Sequence, residues 1–231
     1  GLPEEIDYVV LFVDNASVDG SWRAIERARE ALAVRGVSSD AIRHEVNRGY
    51  GGTVKSALYY CAGSGVDYVA VVHADGQYAP EELPRLMRAL IDRPGDALHF
   101  GSRLTGAPLS GGMPLYKYIC NVALSALQNL VLGAHLSEYH SGYRLYRMEH
   151  MRRIPYRLNS DRFVFDNEII FQILAAGFGI SESPIPTHYG EEKSHVPRIG
   201  TPLAILRSLG QAALHKWGLR PLAQYQKDGA E

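Results

Sequence analysis

Apolar residues along the chain come in short, nearly unbroken blocks at 8–13, 66–72 and 97–100. Polar and turn-forming residues close each block, Asp14-Asn15-Ala16-Ser17 after the first, His73-Ala74-Asp75-Gly76-Gln77 after the second and Gly101-Ser102-Arg103 after the third. Blocks of this length read as buried parallel strands. Between them the spacing turns helical. From Ser21, a candidate N-cap, the residues Trp22, Ile25, Ala28, Ala31 and Leu32 fall on one face. A weak strand at 41–44, a glycine-rich loop at 47–52 and a helix at 53–62 repeat the unit. Pro80-Glu81-Glu82 opens the next helix, to about 91, because proline and acids suit a first turn. The second half predicts a helix at 115–132, a strand at 142–147, a helix at 167–176 and a strand at 180–187. Pro184, Pro186, Pro197 and Pro202 interrupt the next stretch of chain, and a frayed tail is expected after Pro221. Strands alternating with helices predict an α/β fold, a mostly parallel sheet with helices on both faces. In the helix at 115–132, Ile119, Val122, Ala126 and Leu130 lie opposite a polar stripe of Asn121, Ser125 and Gln128, which reads as a core helix lining a cleft, with an interfacial role as the alternative.

Composition narrows this picture. The 231 residues suit one domain, and 46% apolar residues supply a core. Lys and Arg (24) nearly balance Asp and Glu (25), so no global field recruits nucleic acid, and phosphate binding must be local. Cys61 and Cys120 give neither a disulfide framework nor a zinc pattern, which fits a reducing compartment. No apolar run approaches the roughly 20 residues of a membrane span, and the first residues lack the blocks of a signal peptide. A cytoplasmic protein is expected.

In a doubly wound sheet, ligands bind beyond the carboxyl ends of the strands. Asp14, Ser17 and Asp19 can hydrogen-bond a base or ribose, although a strand-end Asp also caps turns. Asn47, Arg48 and the glycines from Gly49 to Gly52 can admit a phosphate or sugar, or serve only a tight loop. Asp75 and Gln77 offer oxygen ligands after an apolar strand, a donor set suited to Mg2+ or Mn2+ with phosphates and water completing the shell. His73 is either a third ligand or a hydrogen-bonded strand end.

Phe12-Val13-Asp14-Asn15-Ala16-Ser17-Val18-Asp19-Gly20 resembles the V-D-D-G-S-x-D-G segment of family 2 glycosyltransferases with the GT-A fold, and His73 to Gln77 takes the place of their D-x-D motif. Glu45-Val46-Asn47-Arg48-Gly49-Tyr50-Gly51-Gly52 is similar to their N-x-G-x-G loop in its first half. Gly101-Ser102-Arg103 and Ser141-Gly142-Tyr143-Arg144 resemble the dolichyl-phosphate mannose synthase-like branch, in a bacterial-type subgroup. The likeness runs to about Pro197. The family's first strand and its P-x-Y-N-E-E loop are absent, and His73 stands where many members have Asp.

The resemblance implies a GT-A (Rossmann-like) domain over 1–200 with a helical tail over 201–231. It implies inverting transfer from a nucleoside-diphosphate sugar, with Asp14, Ser17, Asp19, Asn47, Gly49, Gly52 and Asp75 on the donor, and His73, Asp75 and Gln77 on the metal. By motif position Arg103, Lys117, Ser141 and Arg144 meet the acceptor, a polyprenyl phosphate or a glycan. A hydroxyl acceptor needs a base, for which Asp166 is the first candidate and Glu168 the second, Asp166 being equally placed to cap a helix. Peripheral contact with the inner face of the plasma membrane is implied if the acceptor is a lipid. Two rivals share parts of the pattern. A nucleotidyltransferase would need a glycine-rich basic triphosphate loop at its start, and none is visible; the other is a non-catalytic nucleotide-binding module.

Overall fold

The computed structural model describes residues 6–186 and 200–226. The elements run β1 (Val10–Asp14), α1 (Ser21–Val34), β2 (Ser39–Arg43), α2 (Gly49–Gly63), β3 (Tyr68–Val71), α3 (Leu83–Ile91), β4 (Asp96–Ser102), α4 (Leu115–Leu132), β5 (Arg144–Arg147), α5 (Met148–Met151), α6 (Phe165–Ala175), β6 (Gly179–Pro184) and α7 (Gly200–Lys216). β1 pairs in parallel with β2, and the remaining strands form a sheet in the order β3-β5-β4-β6. β4 and β6 are parallel, while β5 runs antiparallel to both β3 and β4. Thus β3, β4 and β6 share one direction and β5 alone is reversed. The reversal places the start of β5 where β3 and β4 end, since Arg144 pairs with both Val71 and Phe100.

Alternation along the strands divides the core between two faces. Tyr143 and Leu145 join Leu86, Met87 and Leu90 of α3 on one face. Tyr146 joins Leu58 of α2 and the α6 residues Ile169, Ile170, Phe171 and Ile173 on the other. Each large apolar side chain so buried contributes about 1.5–3 kcal/mol.

Three expectations change in the folded chain. α4 is turned the other way from its periodicity: Ser125 and Gln128 are buried, while Leu130 is 81% and Ile119 55% exposed. The glycines from Gly49 to Gly52 form the first turn of α2 rather than a loop before it. The chain after Pro221 is docked as far as Gln226, because Tyr225 enters the main core and Gln224 donates to Asn159 Oδ1 at 2.9 Å. α7 shares that core through Leu209 and Ala212. Thr187 and Pro197 lie outside the described residues.

Candidate active site

The edge formed by the ends of β1 to β4 and the start of β5 collects most of the expected residues. Asp14 ends β1 and is buried, with Oδ2 accepting the Ser17 N–H at 3.4 Å and lying 3.8 Å from Arg43 Nε. Asp19 is exposed and accepts the Ser21 N–H at 2.9 Å, so it, rather than Ser21, serves the start of α1. Hydrogen bonds from the Ser21 side chain and backbone hold its carboxyl below the ordinary range. Asn15, which carries no motif role, joins the two loops. Its Oδ1 accepts the Arg48 N–H at 2.9 Å, and its Nδ2 donates to Asn47 Oδ1 at 2.9 Å. Asn47 Oδ1 also accepts the Gly49 N–H at 2.8 Å.

The glycines answer to packing. A Cβ on Gly51 would stand 2.7 Å from Phe165 Cβ and 2.9 Å from the Arg162 carbonyl oxygen. Gly49, at φ +74°, meets the Asp161 backbone in the same way, and the Gly52 N–H donates to the Asp161 carbonyl at 3.3 Å. Gly49 and Gly52 therefore give their openness to residues 160–165 of the chain itself, which corrects the expectation that they leave room for a phosphate. Lys55 completes this contact with an ion pair to Asp161 at 2.6 Å.

At the centre, the Tyr50 hydroxyl donates to Asp166 Oδ1 at 3.1 Å and lies 3.2 Å from His73 Nε2. Phe163 stacks on the Tyr50 ring, with centroids 5.3 Å apart. The His73 ring meets Tyr50 and Tyr78 edge to face, and Gly142 lies against it so closely that a Cβ there would overlap the imidazole. Tyr78 in turn accepts the Gly142 N–H on its hydroxyl at 2.8 Å. Burial raises the Asp166 pKa, a shift opposed by the positive charge of Arg144, and burial lowers that of His73. Asp166 lies in the first turn of α6 and makes no cap hydrogen bond. Asp75 is exposed beyond this cluster, with Oδ1 accepting the Gln77 N–H at 3.1 Å across Gly76, whose φ is +74°.

Two candidates prove to be internal ties. Arg144 is 1% exposed, and its guanidinium donates to the carbonyls of Ser141 (2.7 Å), Asp166 (2.7 Å) and Tyr139 (2.9 Å). With Asp166 Oδ1 3.6 Å from its Nε, it has no face left for an acceptor, because every donor edge is turned inward. Glu168 accepts the Ser160 N–H at 2.6 Å and lies 3.4 Å from Ser208 Oγ, so it braces residues 159–161 against α7 instead of waiting as a second base.

Arg103 and Lys117 remain at the edge. Glu138, fully buried, takes the Arg103 N–H at 2.8 Å and Nε–H at 2.9 Å and also pairs with Nη2, which donates to the His140 carbonyl at 3.0 Å. Lys117, in the first turn of α4, has its pKa lowered by burial and then by Arg103. Burial pushes the His140 imidazole down to about 4. Ser141 is wholly buried beside this group. Sequence reasoning misses Tyr50, Glu138 and His140 as members of the site; an aromatic next to glycines and a Glu three residues before Ser141 are the signals that could have found them.

Comparison with known proteins gives the family and the fold. The family model described as Glycosyl transferase family 2 matches residues 4–154. Over 218 residues the chain is 31% identical to an undecaprenyl-phosphate mannosyltransferase of Micrococcus luteus, covering 91% of this chain and 85% of that protein. It is 28% identical over 151 residues to a UDP-N-acetylglucosamine–dolichyl-phosphate N-acetylglucosaminyltransferase of Methanococcus voltae, 65% of this chain and 60% of that one. A polyprenol monophosphomannose synthase of Mycolicibacterium smegmatis is 26% identical over 178 residues, 76% of this chain and 65% of that one. The chain thus spans less than two thirds of the last two relatives. Among solved structures, mannosyl-3-phosphoglycerate synthase from Rubrobacter xylanophilus superposes with a TM-score of 0.63 at 15% identity, covering 97% of this chain and 68% of that one. Glucosyl-3-phosphoglycerate synthase from Mycobacterium tuberculosis, in complex with Mn2+, UDP-glucose and phosphoglyceric acid, gives 0.55 at 15% identity, over 89% and 68%. What these two share with the chain is the GT-A fold. The chain belongs to glycosyl transferase family 2.

Proposed function

We propose that the chain moves a hexose, with inversion, from a nucleoside-diphosphate sugar to a polyprenyl phosphate. The observation that carries this reading is the state of Asp166. Its carboxylate is buried and held by Tyr50 and Arg144, which suits an acceptor that brings its own ionised oxygen and needs no base. Lys117 brings a cation to the same edge as Arg103, whose own charge is paired with Glu138, and the names of three relatives specify undecaprenyl, dolichyl and polyprenol acceptors. On the donor side, Asp14, Ser17, Asp19 and Asn47 stand at the strand ends where base and ribose would lie. Asp75, Gln77 and His73 would hold Mg2+ or Mn2+. The exposed Asp75 carboxylate beside Gln77 is a hard oxygen donor set that suits an ion keeping water and phosphate oxygens in its shell. Such an ion supplies charge neutralisation at the leaving diphosphate.

The second reading, transfer to a sugar hydroxyl, draws on the raised pKa of Asp166, which makes it a better proton acceptor. Incubation with a panel of nucleotide sugars, Mn2+ and either undecaprenyl phosphate or glycan acceptors separates the two. Lipid-linked sugar is expected; extension of a glycan with no lipid-linked product would overturn the first reading. Calorimetry adds a check on the metal site, where Asp75→Ala is expected to abolish Mn2+-dependent nucleoside diphosphate binding with an unchanged melting curve.

A lipid acceptor also gives a use to the outward side of α4. No helix among the described residues is long and apolar enough to cross a membrane. Yet Tyr116, Ile119 and Leu130 of α4 are exposed, as are Leu203 and Trp217 of and beyond α7, and Lys216 Nζ donates to the Leu132 carbonyl at 2.6 Å to join the two helices. An apolar face with basic residues at its border suits the inner, anionic face of the plasma membrane. Sedimentation with phosphatidylglycerol vesicles is expected to carry the protein down; its absence at low salt would contradict membrane placement.

A further inference from the structure

We propose that Tyr50 is a positioning residue that locks His73 as the Nε2–H tautomer and so keeps the Nδ1 lone pair available at the head of the segment from His73 to Gln77. The Tyr50 hydroxyl has one proton, and it is directed to Asp166 Oδ1 at 3.1 Å. Its oxygen can then only accept from the second neighbour, His73 Nε2, at 3.2 Å. A neutral imidazole that donates through Nε2 carries its lone pair on Nδ1, for which no hydrogen bond appears among the described residues. The ring cannot easily flip to exchange its nitrogens. Tyr50 and Tyr78 flank it at centroid distances of 5.3 and 5.5 Å, Gly142 backs it, and Phe163 fixes Tyr50 by stacking.

The chain of contacts explains why a carboxylate with its charge tied to Arg144 sits at this place. Asp166 orders Tyr50, and Tyr50 orders His73, as outer partners order a ligating histidine. The same contacts fix the first turn of α2 to the start of α6. The tautomer is set by the hydrogen bonds alone; the effect on turnover rests on the proposed reading of the site.

The experiment reads the two separately. In 15N-histidine-labelled protein at about pH 8, where an imidazole is neutral, long-range correlation spectra report which ring nitrogen carries the proton. The His73 signals are identified by their loss in His73→Gln. The wild type is expected to show Nε2–H alone. Tyr50→Phe, which keeps the stack on Phe163, is expected to show a mixture of tautomers. An Nδ1–H form in the wild type would mean the proton order runs the other way, from Asp166 through Tyr50, and would overturn the inference without any variant being needed. An unchanged spectrum in Tyr50→Phe would overturn it as well. In the transfer assay, Tyr50→Phe should lower kcat about tenfold with the donor KM within about twofold, the scale of losing an outer-shell partner. Wild-type protein that transfers no sugar would defeat the proposed function, while the spectra would still decide the tautomer.

Discussion

α6 and α1 are both expected from apolar periodicity, yet α6 buries every residue from Phe165 to Ile173 and α1 buries none. The contrast extends to their surroundings. Around α6, apolar contact on the sheet is joined by a buried ion pair, by the Asn159 amide donating to Gln172 Oε1 and by Glu168 accepting the Ser160 N–H. Around α1, β1 pairs only with β2 among the described strands, and polar clips such as Asn15 to Asn47 hold the loops. Stability is therefore concentrated in the centre, and the loops proposed to hold the donor belong to the layer with least burial. Ligand-binding loops are commonly drawn from that end of the stability range.

Substitution at Arg144 should expose the difference most. Arg144→Met leaves Asp166 buried beside no cation and three carbonyls without their donor, at a cost of about 3–5 kcal/mol. In the N-terminal layer, Arg43→Met should cost no more than about 1 kcal/mol, because its partner Asp14 is 3.8 Å away and the arginine is exposed. Denaturant midpoints compare them directly, and equal losses would remove the distinction.

Cavity formation gives a second test of similar size. Phe171→Ala should cost about 3–5 kcal/mol, against about 1 kcal/mol for the half-buried Ile25. A large loss at Ile25 would show that α1 is buried by something the described residues do not include.

Adding a methyl group tests the opposite fault. Gly51→Ala forces a Cβ onto Phe165 and the 160–162 backbone and should cost about 1–3 kcal/mol, whereas Gly20→Ala meets nothing within 4 Å and should stay within about 0.5 kcal/mol. Thermal melts of the two variants suffice.

The smallest expected effect is a change of slope with pH. His99 of β4 pairs with Ser181 of β6, with Ser181 Oγ at 2.8 Å and Ser183 Oγ at 3.0 Å from its ring nitrogens, and burial lowers its pKa from 6.5 to about 4. Below 6.5 the unfolded chain takes up a proton that the folded chain refuses until about 4, so stability falls as pH falls through that window. His99→Asn should flatten this part of the curve. An unchanged slope in urea midpoints between those limits would show that His99 is protonated in the fold.

Much of the frame is legible from spacing. The bounds of α4 agree with the apolar pattern, and β3 and β4 lie within or around their apolar blocks. The errors have separate causes. α4 reads inside out because periodicity gives the direction of an apolar stripe but not the partner that covers it; Gln128 is buried with Nε2 donating to the Leu124 carbonyl at 3.2 Å, while the apolar side has no cover among the described residues. Motif position gives Arg144 to a ligand, and only the fold reveals three carbonyls around it.

Residue order alone is enough for the α/β alternation, the family, and the strand ends at which polar groups gather, because period and local turn chemistry act over a few residues. Folding settles which of those groups are available. Whether Gly51 makes room for a phosphate or for Phe165, which neighbours the Tyr50 hydroxyl meets, and the Asp166 share of the Arg144 contacts depend on partners about 20 to 120 positions away in the chain, such as Asp166 opposite Tyr50. Hydrogen bonds and ion pairs are short-range in space, and only folding brings those distant residues within their reach.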